Sequence, residues 1–207
     1  MEIKSFIYGD NYIELSANTY LIIDGKDCVL VDPGKEDPRI VEFIKENSLN
    51  LKGILLTHGH CDHMRGIIAF ECPVYIHKDD VELLNNPHLN CSDRFSRKNV
   101  SIDVAPIEVE EGMEINLLSK PIKVIHTPYH TMGSVCYYIP EEKILFSGDT
   151  LFKDAMGRSD FVTSDPNLIK SSLAKLGALP DDVILYPGHG DLTSIGYERK
   201  QNPFVKR

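Results

Sequence analysis

Apolar residues in this chain fall into short runs separated by polar turns, and the spacing within each run predicts its element. Tyr20-Leu21-Ile22-Ile23 and Cys28-Val29-Leu30-Val31 flank the polar stretch Asp24-Gly25-Lys26-Asp27, which predicts an antiparallel hairpin. Asp32-Pro33-Gly34 stops the second strand. Ile40, Val41, Phe43 and Ile44 then give helical spacing over residues 38–47. Gly53-Ile54-Leu55-Leu56-Thr57 is apolar without alternation, as expected of a strand covered on both faces. Val74-Tyr75-Ile76 predicts a further strand, and Val81, Leu83 and Leu84 a helix starting near Asp79. From Asn85 to Ala105 the periodicity disappears. A stretch of that length predicts a lid or mobile insertion, or a plain surface loop.

The second half repeats this style. Ile122-Lys123-Val124-Ile125, Val135-Cys136-Tyr137-Tyr138-Ile139 and Ile144-Leu145-Phe146 are predicted strands separated by turns. Asp165 and Pro166 open a helix whose buried face is Leu168, Ile169, Ser172, Leu173 and Leu176. Val183-Ile184-Leu185-Tyr186 is another buried-type strand, and Ser194 to Gln201 a terminal helix. No Ser/Gly-rich linker or composition break divides the chain. The expectation is one α+β domain over residues 1–207, with helices packed outside two facing sheets.

Charge and cysteine usage narrow the setting. A net charge of −9 argues against a general nucleic-acid binder, which needs a basic face for the phosphates. Met1-Glu2-Ile3-Lys4-Ser5 lacks a basic stretch followed by an apolar core, and no apolar run approaches the roughly 18 residues of a membrane span. A cytoplasmic protein without a membrane partner is expected. Cys28, Cys61, Cys72, Cys91 and Cys136 form no C-x-x-C pair, and their odd number cannot all pair within one chain; they read as reduced thiols. Cys61, inside a histidine motif, is expected to point away from any metal.

That motif is the chemical centre of the sequence. Thr57-His58-Gly59-His60-Cys61-Asp62-His63 places four candidate ligands in six positions just after a buried strand. On a tight loop His58 and His60 can face one ion while Asp62 and His63 turn toward a second. Imidazole and carboxylate suit zinc, manganese or iron. Thr127-Pro128-Tyr129-His130-Thr131, Ser147-Gly148-Asp149-Thr150 and Pro187-Gly188-His189-Gly190 each follow an apolar strand and add His130, Asp149 and His189. Strand ends on a rigid sheet are where ligands can be held at defined geometry. His77 and His88 have no ligand partners nearby in sequence and read as satisfied or solvated side chains.

His58-x-His60-x-Asp62-His63 with His130, Asp149 and His189 resembles the five-motif pattern of the metallo-β-lactamase superfamily over nearly the whole chain. The resemblance implies a four-layer αββα sandwich with the site at one edge between the sheets. It implies that His58, His60 and His130 bind one divalent ion, that Asp62, His63 and His189 bind another, and that Asp149 bridges them. Asp32 in Val31-Asp32-Pro33-Gly34 matches the first motif, where the aspartate supports the site without ligating. His126 is not a ligand in that pattern and reads as a structural or supporting residue. Phe146-Ser147-Gly148-Asp149-Thr150-Leu151-Phe152, Gly157-Arg158-Ser159-Asp160 and the tail near Tyr197 and Asn202 are similar to the glyoxalase II-like branch. Two departures stand out. Tyr129 replaces the glycine usual before the third-motif histidine, and the chain ends soon after His189, without the helical segment that supplies most glutathione contacts in that branch.

Two ions, zinc first with iron or manganese as alternatives, can share a water and bring its pKa toward about 7, so that metal-bound hydroxide attacks an activated carbonyl. Asp62, as a ligand, is also a candidate for proton handling. The expected activity is cleavage of a small thioester or ester, as in hydroxyacylglutathione hydrolases, by a monomer or homodimer acting on a small molecule. A mononuclear non-haem iron persulfide dioxygenase and an RNA-processing nuclease are the alternatives. β-Lactam hydrolysis is disfavoured because Asp149 stands where the familiar zinc β-lactamases carry cysteine.

Overall fold

Successive residues of the central strands are apolar on both faces, and both faces are covered. A computed structural model of the chain describes residues 1–8 and 15–205. One sheet contains β1 (Glu2–Phe6), β2 (Thr19–Asp24), β3 (Asp27–Val31), β4 (Asn50–Leu55), β5 (Val74–His77) and β6 (Ile107–Val109), side by side in chain order. Its first pairs are antiparallel, and β3 through β6 run parallel. The other sheet contains β7 (Glu114–Ile115), β8 (Ile122–His126), β9 (Val135–Ile139) and β10 (Ile144–Gly148). After the separate hairpin β11 (Leu151–Phe152) and β12 (Ala155–Met156), it is completed by β13 (Ile184–Pro187) and β14 (Thr193–Ser194). Its order is β14-β13-β10-β9-β8-β7, with β10 and β13 parallel.

Alternation along the strands divides the core into three apolar layers. Tyr20, Ile22, Val29 and Val31 meet Val124, Val135, Tyr137 and Phe146 between the sheets. Leu21, Cys28 and Leu30, one residue out of step, pack outward under helix α1 (Pro38–Glu46) with Ile40. On the far side Cys136, Tyr138, Leu145 and Leu185 pack against Leu173, Leu176 and Ile195 of α4 (Ile169–Gly177) and α5 (Ile195–Gln201). Helix, sheet, sheet, helix is therefore the layer order, as expected. Each fully buried Leu, Ile or Val contributes about 1.5–3 kcal/mol. Two hydrogen bonds tie the sheets where the histidine motif begins: Val135 N–H donates to the Thr57 carbonyl at 2.8 Å, and the Tyr137 hydroxyl to that of Leu56 at 2.9 Å.

The predicted hairpin closes with Asp24 opposite Asp27. Helix α1 starts on an Asp37 cap that accepts from Arg39 N–H at 3.0 Å, with proline in its first turn. Six short strands, β1, β6, β7, β11, β12 and β14, have no counterpart in the sequence reading. The helix expected from Asp79 is a 3-10 segment over Lys78–Leu84, begun by the His77 ring accepting from Asp79 N–H. The aperiodic stretch from Asn85 to Ala105 is organised by fully buried Asn90. Its amide donates to the Leu83 and Val100 carbonyls at 2.8 and 3.0 Å, and its oxygen accepts from Ser92 N–H at the start of α3 (Ser92–Phe95). Among the described residues no helix is long and apolar enough to cross a membrane.

Candidate metal centre

Five strands end at the same edge of the sandwich, and each delivers a polar side chain there. β3 is followed by Asp32, β4 by His58 and His60, β8 by His130, β10 by Asp149 and β13 by His189; the short helix α2 (Cys61–Met64) carries Asp62 and His63. His58 Nε2 and His130 Nε2 lie 3.1 and 3.0 Å from His60 Nδ1. His63 Nε2 is 3.2 Å from Asp149 Oδ1, His130 Nε2 is 3.5 Å from Asp149 Oδ2, and His189 Nε2 is 3.2 Å from Asp62 Oδ2 and 3.7 Å from Asp149 Oδ2. The seven expected ligand residues are thus together, grouped as His58, His60 and His130, then Asp62, His63 and His189, with Asp149 between.

A surrounding layer fixes which ring nitrogen is free. Asp32 accepts from Thr57 N–H at 2.8 Å, from the Thr57 hydroxyl at 2.6 Å and from His63 Nδ1 at 2.9 Å. Since the Thr57 hydroxyl donates to Asp32, its oxygen is left to accept from His58 Nδ1 at 3.2 Å. His130 Nδ1 donates to the Arg158 carbonyl at 2.8 Å. In each ring a proton on Nδ1 leaves the Nε2 lone pair facing the centre. Asp32, expected as a support, sits at φ 48 and touches both motif segments. Gly148, at φ 48 before Asp149, could not carry a side chain: its Cβ would stand 2.2 Å from Thr57 Oγ1.

The donor set fits a divalent cation. Nitrogens on one tetrahedral zinc stand about 3.3 Å apart, given Zn–N bonds of about 2.0–2.1 Å. The 3.0–3.1 Å spacing around His60 is close to that, and lone pairs so placed repel unless a cation lies among them. Among the atoms facing the centre, His63 Nε2, His189 Nε2 and Asp149 Oδ1 are buried without a well-aligned hydrogen-bond partner. Burial, then the other rings, pushes His58 down and brings His60 to about 3, so both stay neutral and ligand-competent. Burial also opposes charge on His63 and His189, but Asp149, Asp32 and Asp62 outweigh it at His63, and Asp149 and Asp62 do so at His189, holding both above the usual histidine range. Burial disfavours ionised Asp149 and Asp62 as well, yet His189 and His63 keep both carboxyls low. An anionic pocket that retains protons on two imidazoles is suited to hold a metal cation in their place.

The centre lies in a cleft of about 430 Å³. Phe161 packs edge-on to His60 and His130, at 4.8 and 5.5 Å between ring centroids, and Phe152 stands 6.1 Å from His189. Phe95 and Cys91 bring the 85–105 stretch to the cleft, so that segment forms part of its wall. Neither Phe161 nor Phe95 was singled out from sequence, because nothing in their local spacing signals a wall. Cys61 is buried in the outer apolar layer and also borders the cleft, its thiol pushed up to about 12 by burial. Tyr129 fills the far apolar layer and donates to the Thr150 carbonyl, so the glycine usual at that position is replaced by a side chain that leaves the site.

His126 is placed apart from the ligand set. Its ring stacks on His77 at 4.0 Å with 15° between planes, and its Nε2 donates to the Met132 carbonyl at 2.8 Å. His77 is thus a satisfied side chain, as expected, and its stacking partner is distant in sequence: strand ends β5 and β8 bring the pair together although 49 residues separate them. Asp79 adds a third possible ligand atom. Face-to-face rings cannot both aim in-plane lone pairs at one ion, so the pair is a packing contact. His88 likewise has a partner, Asp93 Oδ2 at 3.0 Å on the surface.

Fold and site together define an αββα protein with a candidate metal centre at the sheet edge. The family profile of the metallo-beta-lactamase superfamily matches residues 12–189, and the chain belongs to that superfamily. It is 35% identical to hydroxyacylglutathione hydrolase GloC of Haemophilus influenzae over 188 residues, covering 88% of this chain and 89% of the relative. The crystal structure of BLEG-1 B3 metallo-beta-lactamase superposes with a TM-score of 0.88 at 32% identity, covering 100% of both chains. That of TTHA1623 in a di-iron-bound form gives 0.85 at 34% identity, covering 97% of this chain and 99% of the other.

Proposed function

We propose that this chain is a dinuclear metallohydrolase that cleaves a small thioester or ester, in the manner of hydroxyacylglutathione hydrolases. The observation that carries the reading is the pairing of two complete triads about Asp149 at the base of a largely apolar cleft. His58, His60 and His130 would hold one ion, Asp62, His63 and His189 the other, with Asp149 facing both. When bound, the ions supply Lewis acidity that polarises a carbonyl and acidifies water at neutral pH. Phe161 and Phe152 keep bulk water from either flank, which strengthens electrostatic effects within the cleft. Asp62, 3.2 Å from His189 Nε2, is positioned to take or return a proton at its Oδ2. A thiolate leaving group needs no obligatory proton, so a thioester suits a site where, among the described residues, no general acid besides Asp62 is proposed. The likeness to a thioester hydrolase, GloC, over most of both chains supports the same substrate class.

A single-iron dioxygenase is the less favoured reading, because it leaves Asp62, His63 and His189 without a shared role. The net charge of −9 weighs against the nuclease reading. The deciding experiment loads the protein with zinc or iron, counts metal, and screens acyl-glutathione and other thioesters, lactones, a β-lactam and glutathione persulfide. Chelator-sensitive thioester turnover that is lost in Asp62→Ala is expected. Oxygen consumption on the persulfide, or turnover confined to the β-lactam, refutes the proposal.

A further inference from the structure

Each triad needs something to hold its spacing, and a second buried carboxylate besides Asp32 bears on the first triad alone. Asp32 serves the segment from Thr57 to His63. Asp80, on the 3-10 segment after β5, is fully buried and reaches the other side of the site. Its Oδ2 accepts from Gly59 N–H at 2.8 Å and from the Thr131 hydroxyl at 2.7 Å, and its Oδ1 accepts from Gly133 N–H at 2.8 Å. Gly59 is the residue between His58 and His60. Thr131 follows His130. Ser134 extends the link: its hydroxyl lies 2.8 Å from Thr131 Oγ1 and accepts from Thr131 N–H at 3.0 Å. One carboxylate therefore joins the two loops that deliver all three imidazoles of the first triad.

Space around the link is closed. A Cβ on Gly133 would stand 2.6 Å from the Asp80 carboxyl, and a Cβ on Gly59 would stand 2.5 Å from Leu83 on the same 3-10 segment. The loops thus approach Asp80 as bare backbone, with no side chain to act as a cushion. All three neighbours are donors, so only a carboxylate satisfies all of them; an amide would point its own N–H groups at one. Removing such a buried acceptor leaves donors unpaired on both loops and lets them part.

We propose that Asp80 is the positioning residue for the first ion: it sets the distance between the His58–His60 loop and the His130 loop, and so sets the affinity of that ion without touching it. Asp62, His63 and His189 make no hydrogen bond to Asp80, and the second ion is independent of it. This inference rests on the two-ion reading above.

Zinc titration against a competing chelator at fixed pH tests it, with thermal melting in parallel. Wild-type protein is expected to hold two ions with separable affinities. Asp80→Asn and Thr131→Val should weaken one ion about 10- to 100-fold, the usual effect of losing an outer hydrogen bond to a metal ligand. The other ion should keep its affinity. Thr131→Ser, which retains the hydroxyl, should bind both ions as wild type does. In His189→Ala, which removes a second-triad ligand, the tighter remaining ion should be the one that Asp80→Asn weakens. If wild type binds fewer than two ions, the two-ion reading itself fails. If wild type binds two and Asp80→Asn leaves both affinities unchanged, or loosens both equally along with the melting temperature, the positioning role alone is overturned.

Discussion

Replacing Asp32 by alanine removes the acceptor for three groups at once: Thr57 N–H, the Thr57 hydroxyl and His63 Nδ1–H, at 2.8, 2.6 and 2.9 Å. The hydroxyl can rotate toward another acceptor, but the amide and the ring cannot. Both sit where water does not reach, His63 being fully buried and Thr57 nearly so. Two fixed donors to a charged acceptor, at about 1.5–3 kcal/mol each, put the cost of Asp32→Ala at about 3–6 kcal/mol. A typical domain has only about 5–15 kcal/mol in total. Asp32→Asn separates stability from metal binding. Its amide oxygen can still serve Thr57, while its NH₂ group meets Nδ1 of His63 and drives the ring proton to Nε2, the atom 3.2 Å from Asp149. That variant should lose only about 1–2 kcal/mol but bind one zinc ion about 10- to 100-fold more weakly. Urea unfolding in the presence of chelator measures the first quantity and zinc competition the second. An Asp32→Ala protein within about 0.5 kcal/mol of wild type, below even one neutral hydrogen bond, would refute the reasoning, as would an Asp32→Asn protein with unchanged zinc affinity.

Gly157→Ala places a Cβ 1.9 Å from the Asp149 carbonyl oxygen and 3.1 Å from His130 Nδ1, so the 157–158 loop must move. Metal content is expected to fall, readable by elemental analysis, while circular dichroism stays native. His77 is held neutral, its pKa lowered to about 4 by burial and by His126 beside it. Its folded value lies below its unfolded one of about 6.5, so the unfolded chain binds the extra proton, and this contribution to stability is full above pH 6.5 and is lost as pH falls toward 4. His77→Gln should flatten the melting temperature against pH across that window; an unaltered slope refutes the assignment. His126→Ala should leave metal stoichiometry unchanged while lowering the melting temperature, since the ring it removes stacks on His77 and touches no ligand.

The candidate site and the layers were legible because each is written in short segments at strand ends or along strands. His58 through His63 occupy consecutive positions, and Leu21 against Tyr20 or Leu145 against Phe146 reveal by alternation which strands are covered on both sides. Strands β6 and β7 were not legible, since two or three residues carry no period and their pairing is set by β5 and β8. The stretch from 85 to 105 looked structureless because one buried amide, Asn90, organises it in place of an apolar stripe. Asp80 was invisible for a related reason. Two of its three partners are backbone N–H groups, which every residue but proline has, and they lie 21 and 53 residues away. The His77–His126 pair likewise exists only once two strand ends meet.

The loop that carries His189 is fastened to the opposite end of the chain. Asn18 N–H donates to the Gly188 carbonyl at 2.7 Å, its side chain to those of Pro187 and Gly190 at 3.2 and 3.0 Å, and the Tyr20 hydroxyl to that of Pro187 at 2.7 Å. During synthesis Asn18 and Tyr20 therefore emerge about 170 residues before their acceptors do. Until then the Asn18 amides and the Tyr20 hydroxyl have only water to bond, and that end of β2 cannot be sealed into the core without cost. Emergence of the Pro187–Gly190 segment becomes the step that satisfies these groups. A nascent chain halted before Pro187 should leave β2 open to protease and to hydrogen exchange, even with every earlier ligand already made.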